Sequence, residues 1–179
     1  MTSAMTLVDV GPALVAPVGR RRGDFYPTPA EMVRAIVPHL PRFSVVAVSL
    51  KKDGAILDAL RVDGRCGLRT LGVEIDQDLA DAAASKGHDV WIADLLTDPL
   101  ASIPRAQGLA GQMSNVKGVC RDADLICMNP PFEHAEHFVR VALEHRHPCA
   151  TVAALLRISF VESAERVAFH REHPNGDMF

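Results

Sequence analysis

Leu125-Ile126-Cys127-Met128-Asn129-Pro130-Pro131-Phe132 is the stretch whose reading decides the fold. Its four apolar residues predict a short buried strand, and the double-proline segment after them predicts an abrupt turn at the strand's C-terminal end. Each proline fixes its own φ and removes one N–H donor. The turn therefore presents carbonyl oxygens, one Asn side-chain amide and one aromatic ring in a nearly fixed geometry. Open α/β sheets bind their ligands at this end of their strands. The parts are those needed to hold a planar amino group and accept hydrogen bonds from it.

Outward from this turn, short β-branched runs alternate with helical patterns. Upstream, Ser44–Leu50, Leu71–Ile75 and Val90–Ala93 read as strands. Between them, Ala55–Leu60 and the alanine-rich Asp78–Lys86, stopped by Gly87, read as helices. Thr28-Pro29-Ala30-Glu31 reads as a helix start, with Thr28 as N-cap and Glu31 closing a capping box. Downstream, a helix from Glu133 to about His145 leads to a fifth strand, Thr151–Ile158, and a helix over Ser163–His170. Residues 98–122, rich in Pro, Gly, Gln, Ser and Asn, read as a long loop with room for a short helix. The alternation predicts βαβ units, a mostly parallel sheet and helices on both faces, a Rossmann-like α/β fold.

The 179 residues fit one domain, taken as 23–179, with residues 1–22 as a loose extension. At 48% hydrophobic residues the chain can build a core, and its net charge of -3 supplies no global attraction for nucleic acid. Arg20-Arg21-Arg22 is a local basic cluster, read chiefly as a solvated run. Cys66, Cys120, Cys127 and Cys149 form no Cys-x-x-Cys pair, which points to reduced thiols in a cytoplasmic protein rather than a zinc site or a disulfide framework. Leu7–Val18 contains Asp9 and is followed by arginines, unlike a secretory signal, and is too short to span a membrane. His134 and His137 lie three apart on the helix after the turn, but His-x-Glu-His matches no zinc-protease motif. They read as a solvated face, and no metal is expected.

Four segments, in order, resemble the motifs of S-adenosylmethionine-dependent DNA adenine-N6 methyltransferases, especially phage-type enzymes. Asp24-Phe25-Tyr26-Pro27-Thr28-Pro29 looks like their N-terminal motif, Gly72-Val73-Glu74-Ile75-Asp76 and Ile92-Ala93-Asp94-Leu95 like two cofactor motifs, and Asn129-Pro130-Pro131-Phe132 like the catalytic one. Leu155–Glu162 is similar to a segment that follows in phage enzymes. The resemblance implies the class I methyltransferase fold and a set of roles. Glu74 would accept from the cofactor ribose, with Asp76 as backup and Ile75 beside them. Asp94 and the backbone of Leu95 would hold the cofactor adenine. The turn carrying Ser49, Asp53 and Gly54 would hold its methionine end, and Tyr26, Thr28 and Pro29 would close over that end. Asn129 and the Pro130 carbonyl would accept the N6–H bonds of the target adenine, with Phe132 stacked on the base and Pro131 completing the turn.

The chain departs from that pattern in two places. Val48 stands where the family has an acid, and Lys52 where it has its first glycine. The strand pair that usually ends the fold is expected to be missing, which would leave the fifth strand as an apolar edge for a homodimer or partner subunit to cover. Two alternatives therefore stay open: a degenerate, non-catalytic relative that binds nucleic acid or a partner subunit, and an RNA guanine-N2 or protein glutamine methyltransferase, whose motifs are similar.

Overall fold

The computed structural model describes residues 5–9, 28–49, 54–62, 69–96, 116–174 and 176–178. Seven strands form one sheet: β1 (Met5–Asp9), β2 (Val45–Ser49), β3 (Arg69–Glu74), β4 (Asp89–Ile92), β5 (Leu125–Met128), β6 (Thr151–Leu156) and β7 (Gly176–Met178). Their order is β4-β3-β2-β5-β6-β1-β7, and every paired neighbour runs parallel. The central strands β2–β6, counted from the first of them, follow the order 3-2-1-4-5 of a doubly wound sheet. The Rossmann-like α/β expectation holds.

The helices are α1 (Ala30–Ile36), α2 (Ala55–Val62), α3 (Gln77–Ser85), α4 (Val116–Asp122), α5 (Ala135–His145), α6 (Ser159–Glu162) and α7 (Val167–Glu172). They cover both sheet faces because successive strand residues point to opposite sides. Val46, Leu125, Cys127 and Ala153 pack with Val33 and Ile36 of α1, Leu57 and Leu60 of α2, and Ala80 and Ala83 of α3. Their neighbours Ala47, Ile126, Met128, Val152 and Ala154 pack instead with Val119 of α4, Val139 and Ala142 of α5, and Phe169 of α7. A strand buried on both faces is apolar at nearly every position, which is why β5 and all of β6 after Thr151 read as apolar runs.

The starts of the central strands are clamped by Asp124. Its carboxylate accepts from the backbone N–H groups of Ser44 (2.7 Å) and Val45 (3.0 Å). Its own N–H donates to the Val45 carbonyl, and its carbonyl accepts from Thr151. The registers of β2, β5 and β6 are thus tied at one end, so β2 and β5 finish level at Ser49 and Met128 while β6 runs on two residues past Ala154.

Three expectations need correction. Residues 1–22 are not wholly a loose extension, because Met5–Asp9 pair in parallel with Val152–Leu156. The fifth strand, β6, is consequently not an edge: the chain's own N-terminal strand covers it, and Gly176–Met178 adds a seventh strand outside. Two strand places beyond β6 are filled, though not by an antiparallel hairpin. Thr28 is not the cap of α1. Pro29 is the N-cap residue, with φ -61 and ψ 138, and its carbonyl accepts from Met32. Of the loop expected over 98–122, Val116–Asp122 is helical and residues 98–115 lie outside the described residues. Among the described residues no helix is long and apolar enough to cross a membrane.

Candidate functional site

The strand β2 has β3 on one side and β5 on the other, which makes its C-terminal end the point where the chain's winding direction changes. Ser49 stands in register with Val73 of β3 and Met128 of β5. Glu74 and Asn129 each lie one residue further on. They therefore flank the end of β2, about 10 Å apart by strand spacing.

Glu74 is buried, with 4% of its surface exposed. One carboxylate oxygen, Oε1, accepts from the N–H groups of Ile75 (2.8 Å) and Asp76 (3.0 Å). The other, Oε2, is buried without a hydrogen-bond partner among the described residues. Burial pushes the carboxyl's pKa up, against the two backbone N–H bonds that lower it, and the neighbouring Asp76 charge adds to the rise. An oxygen in that state is an acceptor waiting for a donor. Ile75, the next residue, is 66% exposed, an apolar surface beside the orphaned oxygen. Asp76 has a structural duty: its Oδ1 caps α3 by accepting from Asp78 and Leu79. Asp94 similarly turns the chain after β4, accepting from the Leu96 N–H at 2.9 Å, while Leu95 is buried in the core.

On the other side of β2, the Asn129 side-chain amide donates to the Thr28 hydroxyl at 2.8 Å. Two of the four motif segments meet in this bond. It leaves Oδ1 as the side chain's acceptor. Pro130 is buried, and Asn129, Pro131 and Phe132 are half-buried. The Arg157 guanidinium lies over the Phe132 ring, 3.9 Å from its centroid. No reading of the sequence singled out Arg157 for this position. Its place in the segment Leu155–Glu162 was the available signal, and nothing local says which ring an exposed arginine will cover.

Gly54 closes the turn after β2 with φ +85, and its carbonyl accepts from Asp58 to begin α2. Behind it lies a polar network centred on the buried His88 and Thr70. His88 Nε2 meets Asp58 Oδ1 at 2.9 Å, and His88 Nδ1 meets the Thr70 hydroxyl at 2.8 Å and Arg61 at 3.1 Å. A carboxylate only accepts, so Nε2 carries the proton and Nδ1 accepts. A Cβ on Gly54 would lie 3.0 Å from His88 Cδ2, so Gly54 itself packs closely against the His88 ring. The start of α2 at Ala55 also places Asp58 within a helix, in agreement with reading the turn before Gly54.

Tyr26, Lys51, Lys52, Asp53 and the side chains of Val48 and Ser49 lie outside the described residues. His134 and His137 are exposed, and no cluster among the described residues could hold a metal ion. Cys120 and Cys127 are free buried thiols, pushed up to about 12 by burial, and Cys149 is free and exposed.

No protein-family model matches the chain, and no curated protein matches it. Among solved structures it is similar to protein 1320 of Thermoplasma acidophilum (16% identity, TM-score 0.44, covering 78% of this chain and 63% of that one). It is also similar to a Pyrococcus horikoshii protein provisionally assigned as an RNA methyltransferase (18%, 0.49, 80% and 66%). A third is TrmN of Thermus thermophilus (18%, 0.44, 71% and 37%). The chain spans less than two thirds of each of these structures. Likenesses this distant do not bear on activity. What defines the class is the chain's own strand order: a doubly wound α/β domain with a buried carboxylate and an Asn-Pro-Pro turn on either side of its switch point.

Proposed function

We propose that this chain is a methyltransferase that uses S-adenosylmethionine, and specifically one that methylates the N6 amino group of adenine in DNA. The observation that carries the reading is the Thr28–Asn129 hydrogen bond, which orients an amide acceptor at the end of β5, two strands from the orphaned oxygen of Glu74.

When bound, the cofactor would supply an electrophilic methyl group on a sulfonium. Glu74 Oε2, unpartnered among the described residues, would accept from a ribose hydroxyl, the exposed Ile75 would offer an apolar surface to the adenine, and the segment leading to Gly54 would receive the methionine end. An adenine amino nitrogen is a poor nucleophile because its lone pair is delocalised into the ring. Asn129 Oδ1 and the Pro130 carbonyl each accept one N6–H, which localises that lone pair. Thr28 holds the amide from behind so that its oxygen, not its nitrogen, faces the base. Phe132, half-buried beside this turn with Arg157 over its ring, would stack on the base. Asn129 and the Pro130 carbonyl would thereby aim the N6 lone pair at the methyl group the cofactor supplies, with the surplus N6 proton released to solvent. Catalysis is positioning with fixed dipoles and needs no strong base.

The test is transfer of labelled methyl from S-adenosylmethionine to adenine-containing duplex DNA, with structured RNA and a glutamine-bearing protein as parallel substrates. N6-methyladenine formed by the native chain and abolished by Asn129→Ala is the expected result. Transfer only to RNA or protein overturns the substrate, and no cofactor binding in calorimetry overturns the enzyme.

A further inference from the structure

Arg157 and Ile158 follow directly on β6, the neighbour of β5, at the sheet end that carries the Asn-Pro-Pro turn. Arg157 is exposed and pairs with no carboxylate among the described residues. Its place is set by stacking on Phe132. A guanidinium held by its face keeps all its in-plane N–H donors free, and that fork matches two oxygens of a phosphate. Ile158 is 48% exposed, one of three large apolar side chains so exposed among the described residues. A single surface isoleucine is ordinary. One next to a guanidinium that pairs with no carboxylate among the described residues, beside the Asn-Pro-Pro turn proposed to receive a planar base, is a different arrangement.

We propose that Arg157 and Ile158 hold DNA on either side of the target nucleotide. Arg157 forks the phosphate next to it, and Ile158 takes up the apolar face that a neighbouring base exposes when the target leaves the stack. This rests on the DNA reading above and extends it. The site is local, so it is compatible with the chain's net charge of -3.

The experiment is fluorescence anisotropy of labelled adenine-containing duplexes, fully paired or with an abasic site opposite the adenine, across a salt series. Arg157→Ala weakens binding about tenfold and lowers the slope of log affinity against log salt by about one. Arg157→Lys restores the slope but not the full affinity, because an ammonium does not fork or stack in the same way. Ile158→Ala leaves the slope alone and weakens the fully paired duplex more than the abasic one. Cofactor affinity and thermal midpoint stay at native values in all three. A native chain that binds neither duplex overturns the proposal, as does Arg157→Ala with native affinity and slope. Binding is read without turnover, so the two readings fail separately. Arg157-dependent binding without methyl transfer sinks the enzyme alone, whereas transfer that needs Asn129 but is indifferent to Arg157 sinks the phosphate fork alone.

Discussion

Asn129 donates its side-chain amide to the Thr28 hydroxyl at 2.8 Å, joining positions 101 residues apart. The two ends of an Asn amide have nearly the same shape, and in this structure the NH₂ end is the one bonded, so the oxygen is the end left over. Thr28 takes the NH₂ end and leaves the oxygen. The hydroxyl is free for this because α1 is capped by the carbonyl of Pro29 rather than by the Thr28 side chain.

Thr28→Val keeps the shape and removes the hydroxyl. The amide is then free to turn, and kcat on adenine-containing DNA is expected to fall about tenfold, the equivalent of one hydrogen bond. Thr28→Ser should restore it. Cofactor affinity, measured by calorimetry, should move less than kcat in both.

Glu74 sets function against stability. Its folded pKa is raised, so its ionised form is penalised at neutral pH and the penalty lifts as pH falls through that value. Glu74→Gln should therefore stabilise the cofactor-free protein by about 1 kcal/mol in urea unfolding. The same change should weaken the cofactor by about tenfold or more, because a charged acceptor is replaced by a neutral one. In the native chain cofactor affinity should decline on acidification, beginning above the ordinary glutamate pKa. In Glu74→Gln that decline should be absent.

The network behind Gly54 predicts acid sensitivity. Burial lowers the His88 pKa, the Arg61 charge helps, and the bond to Asp58 opposes. The unfolded chain takes up this proton near pH 6.5, the folded one only at lower pH. Stability is full above about pH 6.5 and is lost as pH falls toward the folded value. A protonated Nδ1 would face the Arg61 guanidinium, which can only donate. Asp58, whose pKa is lowered despite its burial by Lys86 and His88, adds a further loss below the ordinary aspartate range. Chemical unfolding from pH 7 to 5 should show the slope, and His88→Gln should flatten it while costing about 1–3 kcal/mol at pH 7.

The N-terminal strand is expected to be structural. Deleting residues 1–9 uncovers the edge of β6, whose six residues are all buried, and removes the partner of β7. A lower melting midpoint, by about 5–10 °C, and concentration-dependent self-association in gel filtration should follow. A deletion that melts like the full chain and stays monomeric would show that β1 contributes nothing.

The sequence by itself determined the parallel sheet, its central strands and the place of the Asn-Pro-Pro turn. Each follows from local constraints: a strand buried on both faces is largely apolar, and two prolines stop it abruptly. Glu74 and Asn129 were legible through the resemblance of the segments Gly72–Asp76 and Asn129–Phe132 to known motifs, and both lie at strand ends in the fold. What only the tertiary structure decided were the pairings between distant segments. Met5–Asp9 become a strand because β6 presents an open edge in register with them. Thr28 is an anchor rather than a helix cap because Asn129 arrives beside it, and Arg157 covers Phe132 because β6 runs alongside β5. A hydroxyl or a guanidinium can bond to many partners equally well, so its role is settled by which one the sheet's register brings within 3–4 Å.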